Sequence, residues 1–369
     1  MDNQVFLKNC ESYESADIES AVDAVLDFFG GAEKILERGK DILIKPNLLM
    51  ARNPSAATTA HPAIVEAVAE RFTRLGANVV IADSPGGPYS AASLKKVYMA
   101  CGMDRAAQRS GAELNYSTAS KKITYDGIKT RQFELIEPAF KASTIISISK
   151  AKTHMLTYYT GAVKNMFGTI AGLNKAVCHA KMPDAADFCE FLVDLCNYTE
   201  PYISITDAVE GMDGKGPSGG RVRKVGVLAA SKNPYALDLA MMRIVGLDWN
   251  RSPVHKIAAE KGFVPKEPYM LELLGDEIAP LEEKYIPAAT VSVVTGAIRY
   301  MPKPIRKFIE PWFIKYPKMT DRCVGCADCA RACPQGAITV INGKAVINKE
   351  KCIKCYCCHE LCPIKAIDL

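Results

Sequence analysis

Apolar and polar positions alternate along residues 1–297 in a way that predicts strands and helices by turns. VFL at 5–7 predicts a strand, and the spacing of Ile18, Ala21, Val22, Val25, Leu26 and Phe29 puts one apolar face on a helix. Ile42–Ile44 predicts a buried strand ending at Pro46. A second helix opens at His61-Pro62, carries Ile64, Val65, Val68 and Phe72, and stops at Gly76. NVVIADSPGG predicts a strand running into a glycine-proline loop, and Asp126-Gly127 a hairpin. Thr144–Ser149 predicts a strand entering the loop SKAKTH. Helices are expected within 158–169 and 184–196, strands at Tyr202–Asp207 and Val225–Ala230, a helix ending near Gly246, a helix at 254–261 and a strand at Thr290–Thr295.

Strands alternating with helices predict a three-layer α/β core with a largely parallel sheet. VVIAD and TIISIS are apolar on both sides of the pleat, as a sheet covered on both faces requires. Polar residues with chemical potential follow the apolar strands: Lys45 and Asn47, then Asp83 and Ser84, then Lys150, Lys152 and His154, then Asp207, then Ser231 and Asn233. In an open parallel sheet the carboxyl ends of the strands form the ligand crevice. Five loops are thus expected to converge on one place.

That crevice is basic. Lys45, Lys150, Lys152, Lys164 and Lys175, with Asn165 nearby, predict an anionic small-molecule ligand, a carboxylate or a phosphate. Any one of these lysines taken alone reads equally as a solvated surface charge. His154 and His179 are candidates for acid–base work with Lys45 and Lys152, because imidazole titrates near neutrality. Asp207 and Asp83 are expected to orient a ligand or a lysine, or to cap a helix. The stretch Gly214–Gly219 matches G-x-G-x-x-G formally, but a proline interrupts it and a strand is expected to follow. It reads as a mobile loop over the crevice.

Composition changes the picture little until the cysteines are placed. The chain has 369 residues, 49% of them hydrophobic and 24% charged, and a net charge of +5, too mild to imply nucleic acid. No stretch approaches the roughly 20 apolar residues of a membrane span, and the amino terminus shows no signal-peptide pattern. Of 14 cysteines, most fall in the carboxyl-terminal segment. Cys323-x2-Cys326-x2-Cys329-x3-Cys333-Pro334 is repeated as Cys352-x2-Cys355-x2-Cys358-x3-Cys362-Pro363. Two residues between ligands let a tight loop turn three thiolates toward one side of a [4Fe–4S] cluster. In this type of repeat the last cysteine of each run serves the other cluster. Cys323, Cys326, Cys329 and Cys362 are thus assigned to one cluster, and Cys352, Cys355, Cys358 and Cys333 to the other. Zinc is the rival reading of Cys-x2-Cys pairs. Cys357 lies between two ligands and reads as a spare thiol.

The cysteine runs resemble bacterial two-cluster ferredoxins over residues 320–369, which implies a small α+β domain. The remainder resembles the family catalogued as domain of unknown function 362. KPN (45–47), AVKNMFGTIAGLNK (162–175) with His179, the D-x-x-x-G-x-x-G-x-G-P stretch from Asp207, and ASKNPYALDL (230–239) carry that resemblance. It implies the domain layout and no particular reaction. Between the two, residues 298–319 mix basic residues with Tyr300, Phe308, Trp312, Phe313 and Tyr316 and read as a linker between a 1–297 domain and the ferredoxin unit, with peripheral membrane contact left open.

The functional expectation is a cytoplasmic oxidoreductase. It would pass electrons through two [4Fe–4S] clusters between a ferredoxin- or flavodoxin-type carrier and an anionic small molecule. The second reading is a non-catalytic electron-transfer or redox-sensing adaptor.

Overall fold

The structure is a computed structural model, described over residues 2–172, 174–182, 184–288, 305 and 316–368, the side chains at 176, 179 and 180 excepted. Its strands are β1 Gln4–Asn9, β2 Asp41–Pro46, β3 Asn78–Ile81, β4 Glu113–Leu114, β5 Ser120–Thr124, β6 Gln132–Ile136, β7 Thr144–His154, β8 Tyr158–Thr160, β9 Ile203–Asp213, β10 Arg221–Ser231 and β11 Glu272–Gly275. All but β5 and β6 join one sheet in the order β11-β1-β10-β9-β7-β2-β3-β4, with β8 on β7. Neighbours from β9 to β4 are parallel. β10 is antiparallel to both β9 and β1.

Successive residues of the central strands feed different layers. Ile42, Ile44, Ile146, Ile148, Ile203 and Ile205 pack with the helices Ser15–Phe28 and Pro62–Thr73. Leu43 and Ile145 face the other way, toward Ala185–Thr199 and Pro234–Ile244. This is the three-layer core that double-sided apolar strands demand. The hairpin expected at Asp126-Gly127 is β5–β6.

Two expectations about the strands need correction. First, β10 runs backward, so its carboxyl end lies beside the start of β9, with Ser231 paired to Ser204. Ser231 and Asn233 are therefore at the sheet edge opposite the crevice. Ser231 Oγ donates to Gln4 O at 2.6 Å, and Asn233 caps the helix Pro234–Ile244. Second, SKAKTH is strand rather than loop. β8 folds back on β7, pairing Lys152 with Thr160 and His154 with Tyr158, and so supplies hydrogen bonds beyond the central sheet. The helix expected within 158–169 is the short Ala162–Asn165, between β8 and a 3-10 turn Met166–Thr169. Gly168 lies so close to Asp83 and Lys45 that a Cβ there would collide with both.

The glycine-rich stretch is the turn of a long β9–β10 hairpin, not a free loop. Its Ser218 Oγ donates to Glu360 O at 2.6 Å, across the domain boundary. The carboxyl-terminal unit repeats a strand–helix pattern. β12 Lys318–Met319 pairs with β15 Ile367–Asp368, and β13 Ile338–Ile341 with β14 Lys344–Ile347; short helices span Asp328–Arg331 and Cys357–Leu361. The strand expected at Thr290–Thr295 and the aromatics Tyr300, Phe308, Trp312 and Phe313 lie outside the described residues. Tyr316 is described, with Lys354 Nζ 4.5 Å from its ring centre.

Candidate functional site

A cavity of about 90 Å³ opens at the carboxyl ends of β2 and β3. Lys45, Asn47, Asp83, Ser84, Lys164, Asn165 and Lys175 line it from the α/β domain, and Ala332, Cys357, Glu360 and Leu361 from the ferredoxin unit. The last group forms a wall that the sequence gives no means of placing. Leu361 packs onto Gly86 closely enough that a Cβ there would force its side chain to shift.

The lysines differ in what holds them. Lys45 is fully buried and paired with Asp83 at 2.9 Å; its Nζ also donates to Asn165 Oδ1 at 3.1 Å. Asp83 in turn accepts from Leu48 N at 2.7 Å. Asn165 Nδ2 donates to Lys45 O and Ser147 Oγ, so this side chain latches the short helix to the sheet. Lys175 donates to the carbonyl of Ser84, whose Oγ accepts from Gly172 N at 2.9 Å. Lys164 makes no hydrogen bond or ion pair among the described residues. Lys164 and Lys175 are half-buried and line the cavity. Burial pulls Lys175 down to about 7 and lowers Lys164, against which the Glu360 carboxylate acts.

Lys150, Lys152, His154 and Asp207 stand behind this wall rather than on it. Lys150 pairs with Asp207 at 2.9 Å and donates to Tyr13 Oη at 2.6 Å. Tyr13 stacks on His61, whose backbone N–H donates to Asp207 Oδ2. Lys152 Nζ donates to Asn47 Oδ1 at 2.7 Å and Thr58 O at 2.6 Å, and burial lowers its pKa far below the usual lysine range. His154 Nδ1 accepts from Leu156 N and Thr157 N, which leaves Nε2 to carry the proton toward Glu360. His179 lies on the helix Asn174–Lys181, and its side chain is outside the described residues.

Thiols of the two runs lie near one another. Cys329 is pushed up to about 11 by burial and then by its neighbours Cys326, Cys362 and Cys323. Cys352 is raised by burial and by the neighbouring Cys355 and Cys333; Cys358 by burial and by Cys355, Cys352 and Cys329. Backbone N–H groups of Ala345, Ala337 and Ala366 already point at the sulfurs of Cys323, Cys333 and Cys362, at 3.3, 3.2 and 3.1 Å. Eight thiols, Cys323, Cys333 and Cys362 among them with N–H donors aimed at sulfur, fit iron–sulfur clusters, whose sulfur atoms accept such bonds. Among the described residues, no three His, Cys, Asp or Glu side chains converge on a position for a single metal ion. Cys357 is a ninth thiol. It donates its S–H toward Cys355, which lowers Cys355 and raises Cys357, and its other side lines the cavity.

An α/β domain whose crevice is walled by a 4Fe–4S ferredoxin unit defines an iron–sulfur electron-transfer protein. The model described as "Domain of unknown function (DUF362)" matches residues 42–243, and the 4Fe-4S dicluster domain matches 315–363. The chain belongs to the DUF362 family. It is 31% identical over 254 residues to the thylakoid-associated protein of a Synechocystis strain, covering 67% of this chain and 76% of that protein. The ferredoxin segment is 42% identical over 49 residues to a ferredoxin of Pyrobaculum islandicum, covering 13% of this chain and 46% of that protein. The lactate racemase apoprotein of Thermoanaerobacterium thermosaccharolyticum overlaps 62% of this chain and 54% of its own, with a TM-score of 0.40 and 13% identity. No helix among the described residues is long and apolar enough to cross a membrane.

Proposed function

We propose that the chain is an oxidoreductase in which two [4Fe–4S] clusters pass electrons to or from a small anion held between Lys164 and Lys175. The carrying observation is the shared wall: Cys357, Glu360 and Leu361 of the ferredoxin unit close the same cavity that the lysines line. Cys323, Cys326, Cys329 and Cys362 would hold one cluster, and Cys352, Cys355, Cys358 and Cys333 the other. Each bound cluster supplies one electron at a time.

Lys164 and Lys175 set the charge of the ligand. Lys45, neutralised by Asp83, shapes the floor, and Asn47 and Asn165 offer amides to a carboxylate or phosphate. Lys175, poised near 7, exchanges a proton at the cavity. A two-electron reduction then draws two electrons in sequence from a reduced ferredoxin- or flavodoxin-type carrier and two protons by way of Lys175. His154 and Lys152 act from behind the wall by positioning Glu360 and Asn47. The free thiols Cys10, Cys101, Cys178, Cys189 and Cys196 fit a reducing compartment, and the cytoplasm is the one this reading implies.

The test is anaerobic purification followed by mass spectrometry of any retained small molecule, and reoxidation of the dithionite-reduced protein by small carboxylates and phosphates. Acceleration by an anion, abolished in Lys164→Met and Lys175→Met with iron content intact, is expected. Equal rates in parent and variants would move the site elsewhere.

A further inference from the structure

The two copies of the cysteine repeat differ at one informative position. Cys333-Pro334-Gln335-Gly336 corresponds to Cys362-Pro363-Ile364-Lys365, and Gly336 and Lys365 share a φ of 55°. This left-handed conformation suits glycine and strains a side chain with a Cβ. The second copy therefore keeps a lysine where the first shows that glycine serves. Strain held at such a position points to a role for the side chain.

The lysine is not there for water. Its Nζ is closed to solvent and has no hydrogen-bond acceptor among the described residues. The same holds for Nε and Nη2 of Arg52, which belongs to the loop after β2 in the α/β domain. Burial and then the Arg52 guanidinium pull Lys365 down to about 8, while Cys362 and Glu360 pull it back up. The Arg52 guanidinium is thus near enough to act on the Lys365 charge, and none of these three nitrogens has an acceptor among the described residues. Buried charge of one sign calls for the other. Glu360 is engaged with His154. A diffusible oxyanion would have to reach nitrogen atoms that are closed to solvent, whereas Cys362 is a local neighbour whose carbonyl accepts from Lys365 N at 3.3 Å.

We infer that Arg52 and Lys365 form a two-domain counter-charge for the [4Fe–4S] cluster ligated through Cys362, raising its midpoint potential above that of the cluster completed by Cys333. This rests on the cluster assignment proposed above. Adding one electron adds one negative charge, so neighbouring cations favour the reduced form. Because Arg52 comes from the α/β domain, seating the ferredoxin unit on the crevice makes that cluster easier to reduce.

The experiment is an anaerobic redox titration of the full chain, followed by electron paramagnetic resonance. Lys365→Gly restores the residue of the first copy and relieves the backbone, so thermal stability should hold or rise. Lys365→Gly and Arg52→Met should each move the midpoint of the same single cluster to a more negative value, with the other cluster and the iron content unchanged. Lys365→Arg should keep the parent value. Unmoved midpoints in both variants, with full iron, would overturn the inference and leave the cluster assignment standing. A parent midpoint that depends on added inorganic phosphate at constant ionic strength would overturn it in favour of a diffusible anion. Zinc in place of iron would remove both readings.

Discussion

His154 Nε2 lies 3.1 Å from Glu360 Oε1, so the last residue of β7 is tied to the helix that closes the crevice. Both backbone contacts at Nδ1 are donors, which fixes the neutral tautomer with its proton on Nε2. The imidazole therefore turns its N–H side toward the carboxylate at ion-pair distance, outside hydrogen-bond geometry, and the contact ties the ferredoxin unit to the α/β domain. His154→Ala should remove this contact and cost about 0.5–3 kcal/mol, the usual range for a single substitution. Faster hydrogen exchange over 357–361, with iron content unchanged, is the expected reading. Unchanged exchange there would show that the contact does not hold the domains.

Acid should destabilise the protein through the same histidine and through His61. Burial is the main cause in each, and both are held down to about 4, against an ordinary value of 6.5. Between these values the unfolded chain binds more protons than the folded one, so stability falls as pH drops from about 6.5 toward 4 and levels off below. The combined loss is on the order of several kcal/mol. His61→Gln should flatten the slope in urea midpoints measured between pH 4 and 7. An unchanged slope would mean that carboxylates govern the acid limb.

Lys175 predicts the opposite trend for ligand binding. Its amine carries charge below about 7 and loses it above. Anion affinity should therefore weaken as pH rises through 7, by up to about tenfold per unit where only the charged amine binds. Lys175→Arg should stay charged and remove this dependence, while Lys164→Met should weaken binding at every pH. Calorimetric titration with the anion identified by reoxidation checks both outcomes.

The proposed crossing of the cysteine sets makes its own prediction. Anaerobically purified protein should hold about eight irons, the content of two four-iron clusters. Cys323→Ser and Cys362→Ser should alter the same resonance signal although the residues come from different runs, and Cys333→Ser should alter the other. If Cys333→Ser and Cys323→Ser perturb one signal, each run ligates its own cluster.

What is legible in the sequence is what depends on spacing along the chain. Cysteine intervals encode ligand geometry locally, and the double-sided apolarity of TIISIS encodes a covered strand whichever neighbour it meets. The direction of β10 is not encoded this way, because an apolar run reads alike in parallel and antiparallel pairing, and so the pattern points Ser231 and Asn233 to the wrong end of the sheet. Nor does spacing show which lysines share a charge. Lys45 reads as an open cation until Asp83 is placed beside it, and Cys357 reads as a spare thiol until its helix is docked on the cavity. KNPYALD resembles the family without revealing that its aspartate serves the cavity.

That aspartate is Asp238, and it supplies the last prediction. Its Oδ1 accepts from Ala162 N at 2.6 Å and its Oδ2 from Val163 N at 3.1 Å, at the start of the short helix that carries Lys164 and Asn165. A helix of four residues has little stability of its own, so its placement depends on this cap and on the Asn165 latch. Gly161 makes the approach feasible, since a Cβ there would run into Asp238 and Tyr159. Asp238→Ala leaves two buried N–H groups without an acceptor, at about 1–3 kcal/mol for each. Asp238→Asn keeps one acceptor oxygen and should fall between. Both should weaken anion binding in the order of their stability loss, because Lys164 moves with its helix, while the cluster signals stay at parent values. Anion affinity that is untouched in a destabilised Asp238→Ala would separate Lys164 from the cavity and leave Lys175 as the cation that binds.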